Sequence, residues 1–183
     1  MSNTLTRREH YLKLWLSINK DHKLLDFGCG NGGPTREIAR FLGVNDVGID
    51  LGQYLIQQAR NLTAAAKLEV RVSFVAADFL DIRFEDASFD GAYAIEATAY
   101  APDLQAVYAE ISRVLRPGAR FAVYESVLAS KYHDDVSNHR VIRSKYEQVF
   151  GAPPLRKVSP AIEEIKAAEF ELEVAEDLAE RPK

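Results

Sequence analysis

The sequence predicts an α/β fold with a doubly wound, mostly parallel sheet, from three observations. An apolar run ends in the glycine-rich turn of LLDFGCGNGGP at 24–34. A second apolar run, VGID, closes on Asp50, 20 residues past Gly30. Segments with strand and helix character then alternate along most of the chain. Such alternation requires parallel strands with helices on both faces of the sheet.

Strands are predicted where short runs are apolar or alternate between apolar and polar residues. The turn Arg116-Pro117-Gly118 is expected to lead into the fifth of them, and Phe170, Leu172 and Val174 give the sixth its alternation. The predicted strands span 24–28, 46–50, 71–77, 89–95, 120–125 and 170–174.

Helices are predicted where apolar residues recur at spacings of three and four. Gly33-Pro34 opens one of them, since proline fits the first helical position. Phe41 in that helix, and Tyr54, Leu55 and Ala59 in the next, are expected to face the core. The predicted helices span 5–18, 33–42, 53–65, 104–115, 134–150 and 159 to about 169.

Composition narrows the class of protein. The length of 183 residues suits one domain. We divide it into an N-terminal helix (1–20), a cofactor-binding core (21–130) and C-terminal helices with the last strand (131–183). With 23 Lys and Arg against 27 Asp and Glu, the net charge of −4 argues against a nucleic-acid partner.

The chain shows no sign of a membrane span, a secretory signal or a metal site. No apolar run reaches the roughly 18 residues of a membrane span, and MSNTLTRREHYL has no apolar signal core. Cys29 is the only cysteine, so neither an intrachain disulfide nor a thiolate metal cluster can form. The histidines have no metal-ligand spacing. We expect a cytoplasmic, metal-free protein in which Cys29 is a small packed residue.

The glycine turn and Asp50 predict a site for a nucleoside-containing cofactor. Gly28 and Gly30 permit a tight turn and a close approach of the backbone to a ligand. The Asp50 carboxylate can accept hydrogen bonds from a ribose diol. The alternative for Asp50 is a cap on the helix that follows.

Asp26 favours S-adenosylmethionine over a dinucleotide. A carboxylate inside the end of strand one would repel a pyrophosphate but attract an ammonium or a sulfonium. Directly after strand three, Asp78 can accept from an adenine amino group while Phe79 packs nearby. The alternative for Asp78 is a helix cap or a solvated turn. Glu96, directly after strand four, places a further carboxylate beside the site.

Four segments are similar to the sterol C-24 methyltransferases, a branch of the class I S-adenosylmethionine-dependent methyltransferases. They read LLDFGCGNGGPTREIARFLG, FEDASFDGAYAIEATAYAPD, YAEISRVLRPGARFAVYE and LRKVS…FELEVAEDLA, and the similarity runs from about Arg7 to Ala179. The resemblance implies a Rossmann-like fold, S-adenosylmethionine as cofactor, and methyl transfer to the side-chain alkene of a sterol. A lipophilic substrate is compatible with peripheral contact at a membrane surface.

The resemblance also implies roles for individual residues. Cofactor roles fall on Asp26 (methionine amino group), Gly28, Gly30, Asp50 (ribose), Asp78 with Phe79 (adenine) and the Ile95-Glu96 edge. The substrate side would be formed by Tyr93, Glu96, Tyr124 and Glu125. Aromatic rings and a carboxylate suit a carbocation that must later lose a proton. Core packing for the two tyrosines, and a structural pairing for Glu125, are the alternatives.

The chain departs from the family pattern mainly on the substrate side. Ala99-Tyr100 stands where the family commonly has Cys-His, and Ser126 stands where it has Trp. The segment preceding the first helix, the C-terminal region and the last antiparallel strand are missing, so the chain looks truncated at both ends. We expect a free edge at strand five or six that stays unpaired or pairs in a homo-oligomer.

Three other functions remain open at this point. The methyl acceptor could be a nitrogen or oxygen of another small molecule, which the loss of Trp and His favours slightly. The chain could bind the cofactor without turnover, because half of the substrate pocket is missing. A nicotinamide-dependent oxidoreductase is the weakest alternative, and Asp26 is the residue against it.

Overall fold

A computed structural model describes residues 15–178. Its strands are Lys23–Phe27 (β1), Asn45–Asp50 (β2), Val72–Ala76 (β3), Phe89–Ile95 (β4) and Leu115–Tyr124 (β5). They form one sheet in the order β3-β2-β1-β4-β5, and every neighbouring pair is parallel. The predicted doubly wound, mostly parallel fold class is confirmed.

The helices follow the predicted segments within a few residues. They are Gly33–Leu42 (α1), Gln53–Ala65 (α2), Leu104–Val114 (α3), Ser137–Phe150 (α4) and Val158–Ala167 (α5), with a 3-10 turn at Thr98–Tyr100. The predicted helix at 5–18 lies mostly outside the described residues. Of the part that is described, Trp15 and Leu16 are helical. Within residues 15–178, no helix has both the length and the apolar character to cross a membrane.

The core lies on both faces of the sheet. Leu24 packs with the helical residues Ile38 and Ile56 on one face, while its neighbour Leu25 packs with Val107 of α3 on the other. Successive strand residues point to opposite faces, so a strand covered on both sides must be apolar at nearly every position. This explains why β1 is apolar after Lys23 at every position except Asp26.

Three residues predicted to face the core do not. Phe41 is 53% exposed, Tyr54 73% and Leu55 37%. The buried stripe of α2 is instead formed by Ile56 with Ala59, three residues further on. The prediction identified the helix and the buried Ala59, but it was wrong for Tyr54 and Leu55.

The turn predicted at Arg116-Pro117-Gly118 is an irregularity within β5. Phe89 of β4 pairs with Leu115, but Gly91 pairs with Arg120, so the intervening β5 residues bulge out of the ladder. Gly118 has a φ of 80°, which favours glycine. The turn residues therefore distort the strand without separating it from α3.

The predicted sixth strand at 170–174 is wrong. The segment lies beside β5, since the Phe170 and Phe121 ring centroids are 5.8 Å apart and Arg120 forms an ion pair with Glu173 (2.9 Å). It makes no strand pairing, however. Val174 is 53% exposed, so the alternation does not bury an apolar face. Among the described residues, β5 is an edge strand and no antiparallel strand joins the sheet.

Candidate functional site at the carboxyl edge of the sheet

The glycine loop after β1 is tied to the end of β2. The N–H groups of Gly28 and Cys29 both donate to the Ile49 carbonyl at 2.9 Å. Gly28 has a φ of 80°, and a Cβ there would lie 2.3 Å from the Cβ of Ala97. Gly30 has a φ of 53°, but a Cβ there would meet no atom within 4 Å. Packing therefore requires glycine at the first position, whereas the second borders open space.

Asp50 holds the same loop from the end of β2. Its Oδ2 accepts from the Gly30 N–H (3.0 Å), and its Oδ1 accepts from the Gly52 N–H (2.8 Å). Gly52 is the N-terminal cap residue of α2, so Asp50 supports the start of that helix through a turn and does not cap it directly. Each carboxylate oxygen keeps a further lone pair, which is available to a ligand.

Asp78 and Phe79 lie at the end of β3. The exposed Asp78 accepts from the Leu80 N–H through Oδ1 (2.9 Å). The Phe79 ring lies 4.2 Å from the ring of Phe27, centroid to centroid. It also comes within 3.4 Å of the position that a Cβ at Gly28 would occupy. The aromatic ring is thus placed against the glycine loop, with an accessible carboxylate next to it.

Asp26 lies beneath the loop. Its side chain is only 2% exposed, and its Oδ2 accepts from the Thr35 hydroxyl at 2.6 Å. The predicted position of Asp26 near a methionine amino group stays a prediction. Its charge can act on the crevice through space, and Thr35 fixes the carboxylate there.

Tyr93 belongs to the core and not to the substrate side. It is fully buried, and its hydroxyl donates to Oδ2 of Asp46 at 2.7 Å. Burial raises the pKa of this phenol well above its usual value. β4 is an internal strand with both faces covered, so the sequence did not reveal which face its tyrosine occupies.

Asp46 is a buried acid that the sequence analysis missed. It is 1% exposed, and its Oδ1 has no hydrogen-bond partner among the described residues. Burial and the charge of Asp26 raise the pKa of Asp46 well above its usual value, and the Tyr93 hydrogen bond opposes this only in part. The signal was an acidic residue at the start of the predicted strand 46–50, directly before the apolar run Val47–Ile49.

We expect Asp46→Asn to stabilise the protein at neutral pH. An acid whose folded pKa is raised binds more protons in the folded state, so its contribution to stability falls as pH rises above the unfolded pKa of about 3.9. The amide keeps an acceptor for the Tyr93 hydroxyl but carries no charge. The gain is about 1.4 kcal/mol for each unit by which the pKa is raised.

Urea unfolding of wild type and Asp46→Asn at several pH values measures this gain. The difference in unfolding free energy should be small near pH 4 and grow toward pH 7. A difference that does not change with pH would contradict the assignment of a raised pKa to Asp46.

The carboxylates of Glu96 and Glu125 reach across to each other's strand. Oε1 of Glu125, after β5, accepts from the N–H groups of Ala97 and Thr98 (2.9 and 2.6 Å) and from the Thr98 hydroxyl (2.8 Å). Glu96, after β4, accepts from the backbone and side chain of Ser126 (3.0 and 2.8 Å). The two strand ends are therefore locked together by reciprocal hydrogen bonds.

Glu125 has the structural pairing considered as its alternative role. Burial raises the pKa of its carboxyl, and the three hydrogen bonds to Oε1 oppose the rise. That oxygen fixes the turn after β4. We therefore place Glu125 as a support of the site, while Glu96 remains the candidate for chemistry.

Ile95 and Tyr124 flank these carboxylates. They are register partners at the ends of β4 and β5, and both are half-buried. The Tyr124 carbonyl accepts from the Glu96 N–H at 2.8 Å. The predicted residues thus gather at the carboxyl edge of the sheet, except for the buried Asp26 and Tyr93.

Cys29 is packed, as its size and position suggested. It is 6% exposed, and burial together with the charges of Asp26 and Asp50 raises the pKa of its thiol. A thiol kept neutral in this way is a poor nucleophile.

The residues at this edge fit a positively charged nucleoside. Asp50 and Asp78 offer carboxylate oxygens, Phe79 offers a ring, and the open space beside Gly30 admits a close ligand. Asp26 adds a negative charge below the loop. A diphosphate would meet repulsion from these acids. The donor set therefore suits S-adenosylmethionine better than a dinucleotide.

Comparison with known proteins decides the family. A family described as a methyltransferase domain matches residues 18–175. The chain belongs to this methyltransferase family. The match includes all five strands and every candidate site residue. It confirms the resemblance to the class I methyltransferases inferred from the sequence.

The relatives of this methyltransferase domain include sterol enzymes. It is 47% identical over 182 residues to methyltransferase phqN of Penicillium fellutanum, covering 100% of this chain and 56% of that protein. It is 46% identical over 178 residues to a sterol 24-C-methyltransferase of Aspergillus fumigatus, covering 97% and 47%. The chain thus spans about half the length of these relatives.

Solved structures share the fold. The [4+2]-cyclase SpnF superposes with a TM-score of 0.76 at 24% identity, covering 88% of this chain and 55% of that one. A geranyl diphosphate methyltransferase in complex with SAM also gives 0.76, at 20% identity, covering 88% and 63%. At these identities the likeness establishes the fold of the methyltransferase domain and nothing finer.

Proposed function

We propose that this methyltransferase domain binds S-adenosylmethionine and transfers its methyl group to a lipophilic small molecule, with the C-24 side-chain alkene of a sterol as the leading acceptor. The observation that supports the cofactor is the position of the Asp50 carboxylate. It accepts from the N–H groups of Gly30 and Gly52 and keeps lone pairs for a ribose. The sterol acceptor is supported by the 46% identity to the Aspergillus fumigatus enzyme.

Each of these residues would contact a different part of the cofactor. Asp50 would accept from the ribose hydroxyls, Asp78 from the adenine amino group, and Phe79 and Ile95 would pack against the base. Gly28 and Gly30 shape the loop, and Asp26 would attract the ammonium and sulfonium charges. The bound cofactor supplies an electrophilic methyl group on a positively charged sulfur.

Glu96 would act on the acceptor. Methylation of an alkene leaves a cation that must lose a proton. A carboxylate can stabilise the cation and accept the proton. Tyr124, at the end of the neighbouring strand β5, would contribute its aromatic face. Glu125 would keep the turn after β4 in place.

A second acceptor class has its own support. Ser126 places a hydroxyl against Glu96, and Tyr146 places a second hydroxyl against Ser126, where a purely hydrocarbon wall would suit an alkene. Hydroxyls and a carboxylate also suit the proton transfer that accompanies methylation of nitrogen or oxygen. We keep this acceptor class as the second candidate.

Binding and turnover experiments test the proposal. Titration calorimetry of the purified chain with S-adenosylhomocysteine should show one site, and titration with NADH should show none. Transfer of a radiolabelled methyl group should occur to a sterol with a C-24 alkene but not to its saturated analogue. Transfer only to amine or hydroxyl acceptors would support the second candidate. Binding without any transfer would make the chain a cofactor-binding protein, and NADH binding alone would refute the proposal.

A further inference from the structure

Ser126 donates two hydrogen bonds to the carboxylate of Glu96. Its N–H donates to Oε2 at 3.0 Å, and its Oγ donates to Oε1 at 2.8 Å. Both groups come from one residue directly after β5, whereas Glu96 follows the neighbouring strand β4. Two bonds to two different oxygens fix the orientation of the carboxylate as well as its position.

Tyr146 completes a chain of hydrogen bonds with a fixed direction. Its hydroxyl lies 2.8 Å from Oγ of Ser126. A serine hydroxyl has one hydrogen, and here it is donated to Glu96. The tyrosine must therefore donate to the serine, so the order is Tyr146 to Ser126 to Glu96. Such chains strengthen each successive bond by polarisation.

α4 holds Tyr146 in place. The Tyr146 ring is 4.6 Å from the Phe150 ring, centroid to centroid, and Tyr146 itself is half-buried. On the same helix, Arg143 pairs with Glu147 at 2.7 Å, and Glu147 also accepts from the Leu155 N–H at 2.8 Å. The helix is thus fixed to the following loop, and the phenol is aimed at Ser126.

The backbone at Glu96 is unusual for a residue of its type. Its φ is 52°, in the left-handed region that non-glycine residues rarely adopt. Its N–H donates to the Tyr124 carbonyl at 2.8 Å, so the conformation is held by β5. Residues held in such conformations cluster at functional sites. Both the backbone and the side chain of Glu96 are therefore constrained by neighbours.

We propose that Ser126 and Tyr146 are positioning residues, which hold the Glu96 carboxylate in one orientation for its action on the methyl acceptor. This inference rests on the proposed function of Glu96. It makes α4, which contributes no fully buried residue, a part of the active site through a single hydroxyl. If Ser126 and Tyr146 had only a structural role, substituting them would lower the stability of the fold. It would leave the orientation of the Glu96 carboxylate and kcat unchanged.

Turnover in single and double variants tests the inference. Ser126→Ala and Tyr146→Phe should each lower kcat, by roughly 10-fold for the serine, because a hydrogen bond to a charged group is lost. The affinity for S-adenosylhomocysteine should not change. In the Glu96→Gln background, neither substitution should lower kcat further. Ser126→Thr, which keeps the hydroxyl, should restore most of the activity.

A measurement that needs no turnover tests the same point. With ¹³C-labelled glutamate, the carboxyl signal of Glu96, assigned from Glu96→Gln, should be single in the wild type. It should broaden or split in Ser126→Ala and Tyr146→Phe. Tyr54→Phe is the control and should leave the signal single, since Tyr54 is exposed on α2 and its hydroxyl accepts from Gln58 of the same helix at 2.7 Å.

The outcomes separate the two proposals. An unchanged Glu96 signal in both variants would overturn the positioning role, as would an equal loss of kcat with and without Glu96. A wild type that binds S-adenosylhomocysteine but methylates no acceptor would refute the proposed function. The carboxyl spectra would still decide whether Ser126 and Tyr146 orient Glu96.

Discussion

Gly28→Ala should destabilise this methyltransferase domain by about 2–5 kcal/mol, a large share of the roughly 5–15 kcal/mol that such domains have. The new Cβ would lie 2.3 Å from the Cβ of Ala97, which has no flexible side chain to move away. Overpacking of this kind costs about 1–3 kcal/mol. The φ of 80° adds about 1–2 kcal/mol for a non-glycine residue.

Gly30→Ala is the matched control within the same loop. Its φ of 53° carries a similar conformational cost, but its Cβ would meet no atom within 4 Å. We expect the stability to fall by about 1–2 kcal/mol only. The methyl group would enter the open space that we propose for the ligand, so affinity for S-adenosylhomocysteine should fall roughly 10-fold.

Urea unfolding and titration calorimetry separate the two effects. Gly28→Ala should lose mainly stability, and Gly30→Ala should lose mainly affinity. If both variants lost stability equally, the difference in packing around the two glycines would not matter. If Gly30→Ala bound the ligand as well as wild type, the open space would not be the ligand site.

The arrangement of the glycine loop and the strand ends could be predicted from the sequence because its signals are local. The glycine loop, the proline that opens α1 and the acid that ends β2 each occur at a fixed distance along the chain. Parallel strands bring their carboxyl ends to one edge, which places Asp50 and Asp78 beside the loop without knowledge of the fold's details.

The buried polar network could not be predicted, because both faces of an internal strand are covered. Tyr93 and Asp46 lie on internal strands that have apolar residues on both faces of the sheet, so periodicity does not reveal which face each uses. Periodicity failed in a different way at 170–174, where alternation alone suggested a strand. The segment packs on β5 through Phe170 but pairs with no strand among the described residues.

The support of the substrate side depends on contacts between distant parts of the chain. Glu125 meets Thr98, 27 residues away, and Ser126 meets both Glu96 and Tyr146, 30 and 20 residues away. Sequence spacing gives no sign of such contacts. The departure at Ser126 was visible in the sequence as the loss of an apolar wall, but its gain of hydrogen bonds appears only in the structure.

Asp50→Ala should lower the affinity for S-adenosylhomocysteine roughly 10-fold or more. Charge-assisted hydrogen bonds to a ribose contribute about 1.5–3 kcal/mol, and each 1.4 kcal/mol is a factor of ten. The substitution also removes the acceptor for the N–H groups of Gly30 and Gly52, which lie 3.0 and 2.8 Å from the carboxylate. The loop would therefore lose order as well as a ligand contact.

Two further variants distinguish the ligand contact from the loop contact. Asp50→Glu keeps the charge but displaces it, and should recover part of the affinity only if the ribose contact dominates. Glu69→Ala removes an exposed acid that precedes β3, at the opposite edge of the sheet, and should bind as the wild type does. Calorimetric titration well below the unfolding temperature of each variant gives the comparison. Unchanged affinity in a folded Asp50→Ala protein would show that the ribose lies elsewhere, since Asp50 is the carboxylate that accepts from the Gly30 N–H of the glycine loop.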